Sequence, residues 1–131
     1  MMSTHEQIIQ DTFVASNEGR IHFGEVISRM IEAGVESYQA DFRSRQTIYR
    51  LNNDETIVLN LAQLEQTIAE DFSATGIVAA IKGAQQGVVM YPEFKRLSMQ
   101  AGCIGYSVWI KGRHVSYYGR KGETHNEYFP N

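Results

Sequence analysis

Residues 91–123 read YPEFKRLSMQAGCIGYSVWIKGRHVSYYGRKGE, and residues 23–55 read FGEVISRMIEAGVESYQADFRSRQTIYRLNNDE. With Ala33-Gly34 laid on Ala101-Gly102, an offset of 68 residues, the two stretches align without a gap. Glu25 meets Glu93, Tyr38 meets Tyr106, Arg45 meets Arg113, Tyr49 meets Tyr117 and Glu55 meets Glu123; with the Ala-Gly pair this makes seven identities. Phe23 with Tyr91, Val26 with Phe94, Val35 with Cys103 and Arg43 with Lys111 are conservative pairs at the same offset, and Ile9/Ile77, Gly19/Gly87 and Thr56/Thr124 extend it. Self-similarity at a fixed spacing marks a supersecondary unit used more than once. The reading is a single domain over residues 1–131, made of two repeats (about 8–56 and 76–124) joined by a linker over 57–75.

Each repeat reads as helix, helix, strands. Ser3 and Glu6 have capping-box spacing, which predicts a helix over about 4–17. Gly19 follows it, where a left-handed residue ends a helix at little cost. In the second repeat Thr75 is the expected cap of a helix over about 76–86, stopped by Gly87. A second helix is predicted over about 24–33, with Val26, Ile27, Met30 and Ile31 on one stripe. Its counterpart starts at Pro92, whose missing N–H costs nothing in a first turn. Gly34 and Gly102 end these helices. Hairpins follow over 35–42 and 45–51, and over 103–110 and 113–119. Two-residue turns at Arg43-Ser44 and Lys111-Gly112 would set Tyr38 opposite Tyr49 and Tyr106 opposite Tyr117. Third strands are expected near 56–59 and 124–129. In the linker, Leu61, Leu64, Ile68 and Phe72 have helical spacing. The fold class is therefore α+β: an internal duplication of a helix-helix-hairpin(-strand) unit, with an antiparallel sheet packed against helices and the tyrosine pairs on the core side.

Bulk properties narrow the function classes. A chain of 131 residues with 43% hydrophobic and 21% charged side chains can fold on its own core, without disulfide or metal staples. A net charge of −3 gives no global attraction to nucleic acid or anionic membrane. Cys103 is the only cysteine, so no internal disulfide can form, and the polar segment from Met1 to Asp11 lacks the apolar stretch of a secretory signal. The expectation is a cytoplasmic protein with no membrane association.

The second repeat carries Gln85-Gln86-Gly87, Tyr91-Pro92, Ala101-Gly102-Cys103 and Tyr117-Tyr118. In these motifs the chain resembles the YbcV-like family of small bacterial and prophage proteins of unknown function, often labelled phage envelope protein-like. The family pattern has valine where this chain has Cys103. The first repeat matches through Glu32-Ala33-Gly34-Val35 and Tyr38. The resemblance implies a bacterial or prophage origin and transfers no catalytic residue.

Candidate sites are few. On the outer hairpin face the first repeat shows Gln39, Asp41, Gln46, Ile48 and Arg50, an ordinary wet surface. The second shows Trp109 opposite His114, with Tyr118 nearby and Ser107 opposite Ser116. Tryptophan and tyrosine concentrate at binding hot spots. Trp109, His114 and Tyr118 therefore mark a surface for an unidentified protein partner or for self-association, unless the linker or the first helix covers it. The alternative is a small-ligand binder or enzyme using a cleft between the repeats, lined by Tyr38, Tyr49, Tyr106 and Tyr117.

Other chemistry lacks support. Arg43, Arg45, Lys111 and Arg113 make two basic turns, but no aromatic interleaving points to nucleic acid. His5, His22, His114 and His125 show no metal-ligand spacing, and no cofactor motif occurs. His114 and His125 meet only if the third strand brings them together. Cys103 aligns with Val35, which argues for packing over nucleophilic work. The expectation is a non-enzymatic interaction module with no catalytic residue, metal or cofactor.

Overall fold

A computed structural model describes residues 2–62 and 66–130. The first half contains α1 (Thr4–Asn17), α2 (Phe23–Glu32), β1 (Val35–Asp41), β2 (Gln46–Leu51) and β3 (Thr56–Asn60). The second contains α3 (Ala74–Gln85), α4 (Tyr91–Gln100), β4 (Cys103–Trp109), β5 (His114–Gly119) and β6 (Thr124–Tyr128). From α2 and α4 onward, each element of the second half begins and ends 68 residues after its counterpart. The left-handed residues follow the same spacing: Gly19 and Gly87, Gly34 and Gly102, Arg45 and Arg113.

Helix starts follow the sequence with one change. Ser3 Oγ accepts from the Glu6 N–H at 3.2 Å and donates to the Glu6 carboxylate at 3.3 Å, so the box is closed through the side chains. α3 starts two residues early: Ser73, not Thr75, is the cap, its hydroxyl accepting from Gly76 N–H at 3.0 Å. Both hydroxyls suit that role, and Ser73 is chosen because its own N–H is anchored on Ala101 O at 2.7 Å.

The sheet is antiparallel throughout, in the order β3-β2-β1-β4-β5-β6. The hairpins have four-residue connections, since Asp41 pairs with Gln46 and Trp109 with His114. Because each loop is centred where the two-residue turn was expected, the register is unchanged: Tyr38 opposes Tyr49, and Tyr106 opposes Tyr117. Burial alternates along β2, while Ser37, Ser107 and Ser116 are buried on the outer face of β1, β4 and β5, and the tyrosine face lies under the helices. The halves join at β1 and β4, where Gln39 pairs with Ser107, its own counterpart. Ser37↔Trp109 and Asp41↔Gly105 flank that pair symmetrically, so a pseudo-two-fold axis passes through the seam. The strands approach closely there, since a Cβ on Gly105 would sit 2.4 Å from Ala40 O.

The helix expected in the linker is not formed by its described residues, 61–62 and 66–73, and Leu64 lies outside them. Instead Leu61 N–H donates to Arg45 O at 2.7 Å and Ala69 N–H to Met99 O at 2.9 Å. Met99 O thus accepts from both Gly102 N–H and Ala69 N–H, which ties the linker to the end of α4. Leu61 is buried, and Ile68 and Phe72 pack against the core. A Cβ on Gly102 would lie only 2.2 Å from Asp71 O.

Candidate functional site

The tyrosine pairs form the floor of a cavity of about 630 Å³. Tyr38 and Tyr49 stack with centroids 5.5 Å apart, and Tyr106 and Tyr117 are tilted at 5.8 Å. Each is only 5–7% exposed, so these rings belong to the interior while lining a space. The roof explains the space. It comes from the C-terminal ends of α1 and α3 and the N-terminal ends of α2 and α4, so helix ends and their loops, not helix middles, cover this part of the sheet. The loops meet their opposites: Gly19 lies against Pro92 and Met90, and Gly87 against His22.

The cavity straddles the pseudo-two-fold axis. Phe13 and Ile81, Phe23 and Tyr91, and Val26 and Phe94 line it in pairs at the offset of 68, as do the tyrosines. One wall has no such partner. Glu127 to Pro130 close the second-half side, where Phe129 packs edge-on against Phe23 at 5.8 Å and beneath the Arg113 guanidinium at 5.7 Å. Arg113 also accepts the Phe129 N–H on its carbonyl at 2.8 Å.

The floor is hydroxyl-rich but uncharged. Tyr106 donates to the Tyr91 hydroxyl at 2.6 Å. Among the described residues no hydrogen bond reaches the hydroxyls of Tyr38, Tyr49 or Tyr117. Burial pushes the phenols of Tyr38, Tyr49, Tyr91, Tyr106 and Tyr117 well above the ordinary tyrosine range, so they act as neutral donors and acceptors. Lys95 stands behind Tyr91. Its ammonium donates to Asn17 Oδ1 at 2.6 Å and lies 4.9 Å from the Tyr91 ring centre, and burial lowers its pKa. It ties α4 to α1 where the first half has Ile27.

On the opposite face Trp109 is 41% exposed, and neither α1 nor the described part of the linker buries it. Its indole N–H donates to Ser116 Oγ at 3.3 Å, and Ser116 donates to Asn126 at 2.6 Å. The His114 ring lies 6.4 Å from Trp109 and 5.2 Å from Tyr128, which is 66% exposed. An aromatic row thus crosses β4, β5 and β6. Tyr118 is half-buried and donates to Ser107 Oγ at 3.1 Å, outside that row.

His114 and His125 are not brought together. His114 pairs with Tyr128 on the outer face, while His125 pairs with Tyr117 on the inner face and bonds Glu127 at 3.3 Å. No group of three or more His, Cys, Asp or Glu among the described residues is placed to hold a metal ion. The Cys103 thiol is fully buried, donates to Gly105 O at 3.2 Å and is pushed up to about 11 by burial, which is unsuited to a nucleophile. Reading the hairpins alone missed the roof: Tyr91, Phe94 and the tail from Glu127 to Pro130. The pairing of Phe23 with Tyr91 and of Val26 with Phe94 at the offset was the available signal.

Over residues 11–126 the chain matches the family described as protein of unknown function, DUF1398, and it belongs to that family. No curated protein matches it. No helix among the described residues is long and apolar enough to cross a membrane.

Proposed function

We propose that this member of the DUF1398 family is a small-molecule-binding protein that holds its ligand between its two halves. The observation that carries this reading is the cavity of about 630 Å³ floored by two buried tyrosine pairs. Ligand pockets are typically about 300–1,000 Å³, mostly apolar, with a few convergent polar groups. No nucleophile, metal cluster or tuned acid-base pair has been found at this floor, so the proposal is binding without chemistry. The test uses the uncharged fluorophore N-phenylnaphthylamine. Saturable uptake at one molecule per chain is expected, and Ala84→Phe and Ser16→Phe, which fill the cavity from α3 and α1, should abolish it while keeping the wild-type circular dichroism spectrum. Absence of uptake by the wild type would remove the reading.

A second reading rests on the exposed Trp109–His114–Tyr128 row, which offers a docking face for a protein partner or a second copy of the chain. The two readings use opposite faces of the sheet and are compatible. The YbcV-like resemblance, a bacterial or prophage origin, an internal duplication within one domain and a cytoplasmic setting belong to the same proposal. Their supports are the motifs quoted above, the offset of 68 and a lone reduced cysteine.

A further inference from the structure

The cavity lining is lopsided, and the lopsidedness points to a ligand class, given the binding reading above. Ser16 is matched in the second half by Ala84, Thr47 by Val115 and His22 by Met90. In all three pairs the first half is polar and the second apolar. Phe23 and Tyr91 run the other way, but the Tyr91 hydroxyl is occupied by its bond from Tyr106. That exception sharpens the contrast. Tyr38 is the counterpart of Tyr106, and the ring in the place of Tyr91 is Phe23, which has no oxygen to accept from it. Among the described residues the Tyr38 hydroxyl therefore has no protein partner, and the Tyr49 hydroxyl, like that of Tyr117, has none either; the Tyr38 and Tyr49 side chains are 6% and 5% exposed. Neither hydroxyl is sealed from the cavity space, so a ligand that displaces solvent there exchanges one hydrogen bond for another, with a net gain of about 0.5–1.5 kcal/mol. Thr47 adds a third hydroxyl on the same side.

Charge narrows the class. No lysine or arginine lines the cavity. Among the described residues, the only ionisable groups in its wall besides the tyrosines are His22, exposed at the roof, and Glu127, whose carboxylate is shared with His125 at 3.3 Å. A ligand carboxylate would find no counterion at the floor, and a buried unpaired charge is strongly unfavourable. We propose that the cavity takes an uncharged, mostly apolar molecule bearing a hydroxyl or carbonyl end. That end lies among Tyr38, Thr47 and Tyr49, with the apolar body over Val115, Phe94 and Met90.

The experiment displaces N-phenylnaphthylamine with phenylphenol and with biphenyl, which share a body and differ in one hydroxyl. The wild type should prefer phenylphenol by about fivefold, the worth of roughly one net hydrogen bond. Tyr38→Phe/Thr47→Val/Tyr49→Phe should erase that preference while leaving biphenyl affinity within about twofold, and Tyr117→Phe should leave the preference standing. Single changes at the three positions, each expected to reduce the ratio, stand in if the triple variant does not fold. A wild type that binds the fluorophore but shows no preference overturns this inference and leaves the cavity reading intact. So does a preference lost with Tyr117→Phe alone, or tighter binding of phenylbutyrate or phenyltrimethylammonium than of phenylphenol. Failure to take up the fluorophore removes both.

Discussion

Met30 and Ser98 occupy the same place in the two halves, both wholly buried, and have little else in common. Met30 fills its site with an apolar chain. Ser98 leaves a hydroxyl with no hydrogen-bond partner among the described residues. Gly34 and Gly102 also coincide, each ending a helix at φ near +80°. Yet a Cβ on Gly34 would meet only Asn52 Nδ2 at 4.0 Å, while one on Gly102 would collide with the linker backbone at Asp71. The backbone frame thus fixes where residues sit and leaves open what they do. The second half bears the linker, a lysine inside its helix layer and the outer aromatic row. Among the described residues, the first half keeps most of the free hydroxyls of the cavity floor, Tyr38 and Tyr49 against Tyr117 alone.

The glycine comparison should give the largest effect. Gly102→Ala is expected to cost about 4 kcal/mol or more, because strain and a backbone collision add, whereas Gly34→Ala should cost about 1–2 kcal/mol from the left-handed conformation alone. Urea unfolding of both variants checks this, and equal costs would mean that the linker yields freely. Next, Met30→Ala should cost about 3 kcal/mol through the cavity it leaves. Ser98→Ala should be neutral or stabilising by up to about 1 kcal/mol, since it removes an unsatisfied hydroxyl. A smaller effect concerns pH. The five cavity phenols have folded-state pKa values above the unfolded value near 10, so their contribution is complete below pH 10 and declines as pH rises toward the folded values. Each removes up to about 1.4 kcal/mol per pH unit there. Tyr49→Phe and Tyr117→Phe should each flatten the decline, measured as urea midpoints between pH 9 and about 11.5. Unequal flattening would show that the halves are not equally dry. The smallest stability effect is Trp109→Ser, about 0.5 kcal/mol as an exposed change. If the outer face docks a second copy, sedimentation velocity will show a concentration-dependent dimer in the wild type and a monomer in this variant.

Much of this frame was legible in the sequence, for physical reasons that differ from residue to residue. Gly34 and Gly102 fix helix ends because few other residues adopt that conformation, and the tyrosines fix the register because alternation leaves them only one dry face. Leu61, Ile68 and Phe72 misled because apolar spacing reports which side chains seek the core, not where the backbone finds its hydrogen bonds. Ser73 and Thr75 are equivalent as caps until Ala101 anchors one of them. The cavity itself was half legible. The floor follows from strand pairing, but the roof depends on how helix ends from opposite halves meet, and Phe129 lines the cavity while its counterpart Leu61, which makes the same backbone bond to Arg45 that Phe129 makes to Arg113, does not. Exposure of Trp109 depends on what fails to cover it, which no local pattern records.

The seam between β1 and β4 has a consequence for how the chain is made. Every other strand pair joins sequence neighbours, so each three-stranded meander is assembled from local contacts that close quickly. The seam joins residues such as Gln39 and Ser107, far apart in sequence. Until β4 has been synthesised, β1 is an uncovered edge with a row of free backbone groups. The nascent first half therefore emerges from the ribosome as a strand-pairing template, and the glycine at position 105 lets β4 fit closely against that edge once it is made.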